Sequence, residues 1–143
     1  MTANVHGAEL ALDWRPITRW RLLGSYSYLS LNLVKADDSL DTSTAKSTEG
    51  SSPRHMADLT SSLDLPRGFG LDVVLRYVGT LPSQRVEAYR EMDLSIRKHL
   101  TKSLDLSLAG QNLLSPHHAE FSAGSNGRIE IERSVYGRLV GRW

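Results

Sequence analysis

Apolar and polar residues alternate along most of this chain with a period of two, and the 3.6-residue helical period is nearly absent. In HGAELALDW, Ala8, Leu10, Leu12 and Trp14 share one parity, while Glu9, Ala11 and Asp13 share the other. Successive side chains of a strand point to opposite faces, so the segment predicts a strand with one apolar and one polar side. Six more segments predict strands: RWRLLGSYSYLSLNLVK, RHMADLTSSLDL, GLDVVLRYVG, YREMDLSIRKHL, LDLSLAGQNLL and ERSVYGRLVGRW. Most repeat the same division. Leu104, Leu106 and Leu108, for example, oppose Asp105, Ser107 and Ala109. In the second segment Trp20, Leu22, Tyr26 and Tyr28 are in phase, but Leu29, Leu31 and Leu33 take the other parity. That switch predicts a bulge, or the end of an embedded portion, near Tyr28.

The connections alternate in kind. RPIT, PRGFG and TKS read as tight turns, rich in Pro, Gly or small polar residues. The others are longer: residues 36–53 are polar and poor in aromatics, TLPSQRVEA is intermediate, and SPHHAEFSAGSNGRIEI is long again. Short turns at one end and long loops at the other predict an antiparallel up-and-down meander.

Such a sheet fits a soluble sandwich or barrel, whose apolar face forms a core, or an outer-membrane barrel, whose apolar face meets lipid around a polar lumen. Three features favour the membrane. The polar face is rich in acids and bases, among them Asp58, Asp72, Arg76, Glu91, Asp93, Arg97 and Asp105. Most segments reach the 9–11 residues that a tilted strand needs to cross a bilayer. Trp14, Trp20, Tyr77 and Trp143 sit near strand ends, where amphipathic rings suit the headgroup region.

Composition narrows the field further. Lys and Arg number 17 against 16 for Asp and Glu, a near-balance that argues against a nucleic-acid partner. Cysteine is absent, so neither disulfides nor Cys-ligated metal are expected. No apolar run is long enough for a transmembrane helix, and the opening MTANVHGAELALDW does not read as a signal peptide. The sequence carries no G-x-S-x-G, H-E-x-x-H, P-loop or dinucleotide fingerprint, so no enzymatic activity and no cofactor are expected.

Two stretches invite a metal reading. His117 and His118 are adjacent, and neighbours on a strand face opposite ways, which makes a poor chelate; solvation of a loop is the expected role. Asp37, Ser39, Asp41 and Ser43 match alternating oxygen positions of a calcium loop. However, Thr42 stands where glycine is needed, and Glu49 falls one place past the twelfth position, so a solvated loop is expected there too. No metal site is expected at either.

GAELALDWRP, the SPRH that opens the third strand, LRYVGTLPS, AYREMDLSIRKHL and AGQNLLSPHHAEF, in this order and before a terminal aromatic, resemble the C-terminal barrel strands of TonB-dependent outer-membrane receptors. The resemblance covers nearly the whole chain. It implies an all-β fold: about seven antiparallel strands of a larger transmembrane barrel of 22 strands, with the plug that fills it absent here. Residues 1–143 would then form a C-terminal barrel segment, with 36–53 and 115–131 as long extracellular loops. The implied location is the Gram-negative outer membrane. The implied role is uptake of a scarce nutrient, such as a ferric siderophore or cobalamin, by a receptor of which this segment is an inactive part when alone.

The implied partners are outer-membrane lipid, the barrel-assembly machinery, the plug and remaining strands, the TonB system through that missing part, and the nutrient. Trp143, with Leu139 and Val135 on its parity, would form the assembly signal. Gly137 and Gly141 depart from the apolar residues the family has on that row, and Tyr136 falls on the other parity. Asp72, Arg76, Asp93 and Arg97 would face the lumen, pairing across strands or touching the plug. Two other readings stand beside this one: a small self-contained outer-membrane barrel with a structural or adhesive role and one more strand in 119–131, or a soluble β-barrel binding a small apolar ligand.

Overall fold

The computed structural model describes residues 2–34, 44–122 and 128–142. All seven predicted strands are present: β1 (Thr2–Ile17), β2 (Trp20–Val34), β3 (His55–Leu65), β4 (Phe69–Val78), β5 (Tyr89–Thr101), β6 (Leu104–Gln111) and, after an excursion, β9 (Ser134–Gly141). They form one antiparallel sheet in the order β1-β2-β3-β4-β5-β6-β9. The excursion holds β7 (His117–Ser122) and β8 (Arg128–Glu132), which pair with each other and not with the wall. An eighth wall strand in 119–131 is therefore not found among the described residues. A one-and-a-half-turn helix, α1 (Thr44–Glu49), lies in the β2–β3 connection.

Three tight turns close one end of the sheet, at 18–19, 66–68 and 102–103. In the second of these Arg67 and Gly68 both have positive φ, 63° and 75°, a conformation that glycine adopts without penalty. The longer connections gather at the opposite end.

The ladder registers carry each apolar row onto its neighbour. Leu10 meets Tyr26, which meets Ala57, which meets Tyr77. Further on, Val73 meets Leu94, which meets Gly110, which meets Val135. One face is thus apolar across all seven strands, and no layer of described residues covers it. Leu10 is 69% exposed, Val135 66% and Leu139 63%; among the described residues the buried apolar side chains are Leu81, Val86 and Ala119, all at the loop end. An apolar sheet face of this extent needs a nonaqueous partner.

Aromatic and cationic side chains mark both limits of that face. At the turn end stand Trp14, Trp20 (its Nε1 donating to Ser61 Oγ at 3.0 Å) and Phe69, whose ring lies 4.1 Å below Lys98 Nζ. At the loop end Tyr26 Oη lies 2.8 Å from His55 Nδ1, Tyr28 stacks on His55, and Arg90 lies over Tyr77. Leu71, Val73 and Leu75 separate the two bands on β4.

The parity switch near Tyr28 is an ending and not a bulge. The β1–β2 ladder runs unbroken from Thr2↔Val34 to Trp14↔Leu22 and shifts only between Trp14 and Ile17. What stops at Tyr28↔His55 is the pairing of β2 with β3. Beyond it β1 and β2 continue as a two-stranded arm, and Glu49 Oε1 accepts the Leu33 amide at 2.5 Å. The carboxylate supplies an acceptor to a β2 amide past the point where β3 pairs.

On the polar face, Gly70 sits opposite Arg97. Arg97 Nε reaches Asp72 Oδ2 at 3.1 Å, and a Cβ at Gly70 would lie 3.2 Å from its Nη2. The bare glycine lets the guanidinium lie across β4. A double-mutant cycle on Arg97→Gln and Asp72→Asn should give about 0.2–1 kcal/mol of coupling, and Gly70→Val should remove it. Unchanged coupling in Gly70→Val would show that the glycine is not what admits the pair.

Candidate functional site at the loop end of the sheet

The β5 sequence YREMDLSIRK places Glu91 and Asp93 two residues apart, both on the polar face. Each holds a different part of the β7–β8 excursion. Asp93 Oδ1 accepts the Asn112 amide at 2.9 Å, just where β6 ends. Asn112 has φ 54°, a left-handed conformation that asparagine tolerates better than most residues. Leu113 N then donates to Met92 O at 2.9 Å, and Arg133 N to Pro116 O at 3.1 Å, which closes the neck of the excursion.

Above the neck, His118 packs onto the wall. It is 8% exposed and Glu91 2%. His118 Nδ1 lies 3.1 Å from Glu91 Oε1, close enough for an ion pair but not aligned as a hydrogen bond, and Nε2 lies 3.1 Å from Glu120 Oε1. The imidazole also stacks on Tyr89, with ring centroids 4.6 Å apart. Glu91 and His118 thus form a buried polar pair through which the hairpin meets the wall. Arg76 sits directly opposite Glu91 on β4 and lies 3.7 Å from Asp58 on β3.

The remaining loops join the same assembly. In the β4–β5 connection Leu81 and Val86 pair as an isolated bridge and pack with Ala119 and Tyr89 in a small apolar core. Ser83 N donates to Gly50 O at 3.1 Å, and Gln84 Nε2 to Ser51 O at 3.5 Å, tying that connection to the segment after α1. All three long connections are therefore linked. An open cavity of about 620 Å³ lies between the β4–β5 connection and the β7–β8 excursion, bounded by Tyr77, Tyr89, Arg90, Glu87 and His117.

Of the residues expected to matter, Arg76 and Asp93 flank Glu91 here, while Asp72 and Arg97 pair with each other nearer the turn end. Val135 and Leu139 lie on the apolar face opposite Gly110 and Leu106; Trp143 is outside the described residues. The calcium-like positions 37–43 are also outside them. The expectation that both histidines solvate a loop is corrected. Only His117 does so, 3.7 Å from Glu130 with a side chain 61% exposed, because β7 turns the two rings to opposite faces and buries His118. Among the described residues no cluster of three His, Asp or Glu side chains is poised for a metal.

An open antiparallel sheet with two aromatic limits and interlinked loops at one end is the wall of a membrane barrel, and comparison with known proteins decides which kind. The family model for TonB dependent receptor-like β-barrels matches residues 2–113. The chain belongs to this family.

Among solved structures, the TonB-receptor segment is similar to the ferric-catecholate import receptor Fiu from E. coli K12 in its open form. That match has a TM-score of 0.71 at 14% identity, covering 96% of this chain and 20% of Fiu. A chain of the FpvAI–pyocin S2 complex matches at 0.73 and 15%, covering 96% and 19%. The ferripyoverdine receptor of the Pseudomonas aeruginosa outer membrane, bound to ferripyoverdine, matches at 0.73 and 15%, covering 97% and 19%. At such identities the likeness establishes the fold, and the chain spans about a fifth of each receptor. The apolar face of the segment is accordingly the lipid side of a TonB-dependent receptor barrel, and Glu91, Asp93 and His118 lie on its opposite, polar side.

Proposed function

We propose that the chain forms wall strands and outer-mouth loops of a receptor that imports a ferric siderophore across a Gram-negative outer membrane. The observation that carries this is the pairing of a lipid-facing sheet with a lumen-side assembly of three linked connections at one end. Structural neighbours that are a ferric-catecholate import receptor and a ferripyoverdine receptor favour a siderophore over cobalamin. The residue 36–53 and 115–131 connections would lie outside the cell, and the tight turns would face the periplasm. β1 and β9 do not pair with each other, and lipid cannot satisfy open strand edges, so the segment needs further strands to act. Those strands, a plug, the TonB system and the barrel-assembly machinery would be its partners.

Within the lumen, Asp72 and Arg97 are the better candidates for plug contact, since their pair stays partly exposed on the open wall. Asp93 and Arg76 are engaged with the loop end. The test is growth under iron limitation of a strain lacking its own siderophore uptake, carrying the complete receptor and supplied with single ferric siderophores. Rescue by at least one supports the reading; rescue by none, with the receptor assembled, overturns it.

Assembly provides a further prediction. Trp143→Ser in the complete receptor should sharply lower the heat-modifiable, folded fraction, and Leu139→Ser should lower it less. An unchanged folded fraction for Trp143→Ser would remove the terminal row from the assembly signal.

A further inference from the structure

We infer that the loop end of the lipid face carries a binding site for one anionic, phosphate-bearing lipid, with Arg90 as the headgroup ligand and a groove over Ala57 as the seat of an acyl chain. The β4–β5 register puts Arg90 opposite Tyr77, on the same parity as Leu75 and Met92, so both belong to the lipid side of the wall. Arg90 Cζ lies 5.9 Å from the Tyr77 ring centroid, and the guanidinium forms no ion pair or hydrogen bond among the described residues. Glu87 borders the same cavity but does not pair with it. A guanidinium steadied over an aromatic ring, with its fork of N–H groups uncommitted, is positioned to receive a phosphate.

Two hollows meet at this pair. The open cavity of about 620 Å³ is bounded by Tyr77 and Arg90 on the wall and by Ser115 and His117 on the excursion, so a hydroxyl and an imidazole line the same space as the cation. Its volume lies within the range of small-molecule sites. A second hollow, of about 240 Å³, adjoins Arg90 and Tyr77 and extends over Leu75, Leu59 and Ala57. Asp58, Arg76 and Glu91 complete its lining; their parity turns their side chains to the other side of the sheet, so they floor the groove with backbone. The register explains the groove. Ala57 stands between Tyr26 and Tyr77 in one cross-strand row, and its small side chain leaves a gap between two large rings. Leu114 borders both hollows and is 52% exposed, an apolar rim with no described layer over it. Contact with bulk bilayer lipid needs only the apolar rows. A cavity beside an uncompensated cation, adjoining an apolar groove, selects its occupant by headgroup charge. The site rests on the proposed placement of the loop end at the outer leaflet, and not on which nutrient is carried.

The test reconstitutes the complete receptor in nanodiscs of phosphatidylcholine with and without phosphatidylglycerol. Native mass spectrometry after release into detergent then counts the lipids that stay bound. The native receptor should retain phosphatidylglycerol in preference to phosphatidylcholine, and Arg90→Gln should retain one phosphatidylglycerol fewer. Arg90→Lys should restore it in part. Ala57→Phe, which fills the groove and leaves the guanidinium in place, should lose it as well, with heat-modifiable migration unchanged in each variant. Equal retention by the native receptor and Arg90→Gln, or equal retention of the two lipids by the native receptor, overturns the site. Loss in Arg90→Gln but not in Ala57→Phe overturns the groove as the seat of the chain. Growth rescue by a ferric siderophore alongside equal retention sinks the lipid site alone, whereas selective retention without rescue sinks only the siderophore reading.

Discussion

Arginine at Leu94 is expected to destabilise the folded barrel by about 2–4 kcal/mol, and arginine at Ser95 by less than about 1 kcal/mol. Leu94 lies on the lipid face midway along β5 between Arg90 and Lys98, the two cations that mark the limits of the apolar band. Its cross-strand neighbours are Val73 and Gly110, neither of which offers a polar group to a guanidinium. Arginine at this depth has too far to snorkel to either interface. Ser95 points into the lumen opposite Asp72, where a new cation finds both water and a carboxylate. Denaturant unfolding of the complete receptor in detergent or lipid would measure the difference. Equal costs at both positions would refute the facing of the whole sheet. Leu106, equally on the lipid face, is opposite Lys98 and close to the 102–103 turn, so arginine there should cost less than at Leu94.

Asp93→Ala is expected to cost about 1.5–3 kcal/mol, because it removes a charged acceptor from a partly buried backbone amide. Asn112 occupies a left-handed conformation and is held there from both sides, by Asp93 on its amide and by its own Nδ2 bonding Glu132 O at 3.3 Å. Loss of the first bond leaves the amide unsatisfied at the neck of the excursion. Asp93→Asn keeps an oxygen acceptor and should recover part of the loss. The effect should appear as faster hydrogen exchange at residues 112–113 and 133, with the β3–β4 ladder unaffected. Uniform loss of protection through β3 and β4 would mean that Asp93 supports the wall itself.

The seven wall strands and their facing were legible because a period of two is a local property. Leu104, Leu106 and Leu108 declare one side of β6 whatever surrounds them. The turn end was legible for the same reason: PRGFG and TKS contain the residues that tight turns require. The Tyr28 switch was visible but ambiguous, since a bulge and the end of a neighbouring strand produce the same change of parity. Only the β2–β3 register separates them. The β7–β8 hairpin escaped because its strands are short and join no wall strand, so RIEIE and HHAEF read as parts of one loop.

The central pair of the candidate site was not legible at all. Glu91 sits on the polar face of β5 like Asp93 and Arg97, and alternation assigns all of them to a hydrated lumen. His118 looks like His117. What distinguishes Glu91 and His118 is burial against each other, and burial follows from how distant loops fold back. By itself the sequence determined the architecture of this protein: an antiparallel wall, one lipid-facing side and an apolar band bounded by aromatics, all consequences of side-chain alternation along single strands. Only the tertiary structure decided which charged residues remain in water and which are locked together, because that depends on contacts between segments far apart in the chain, where no local pattern reaches.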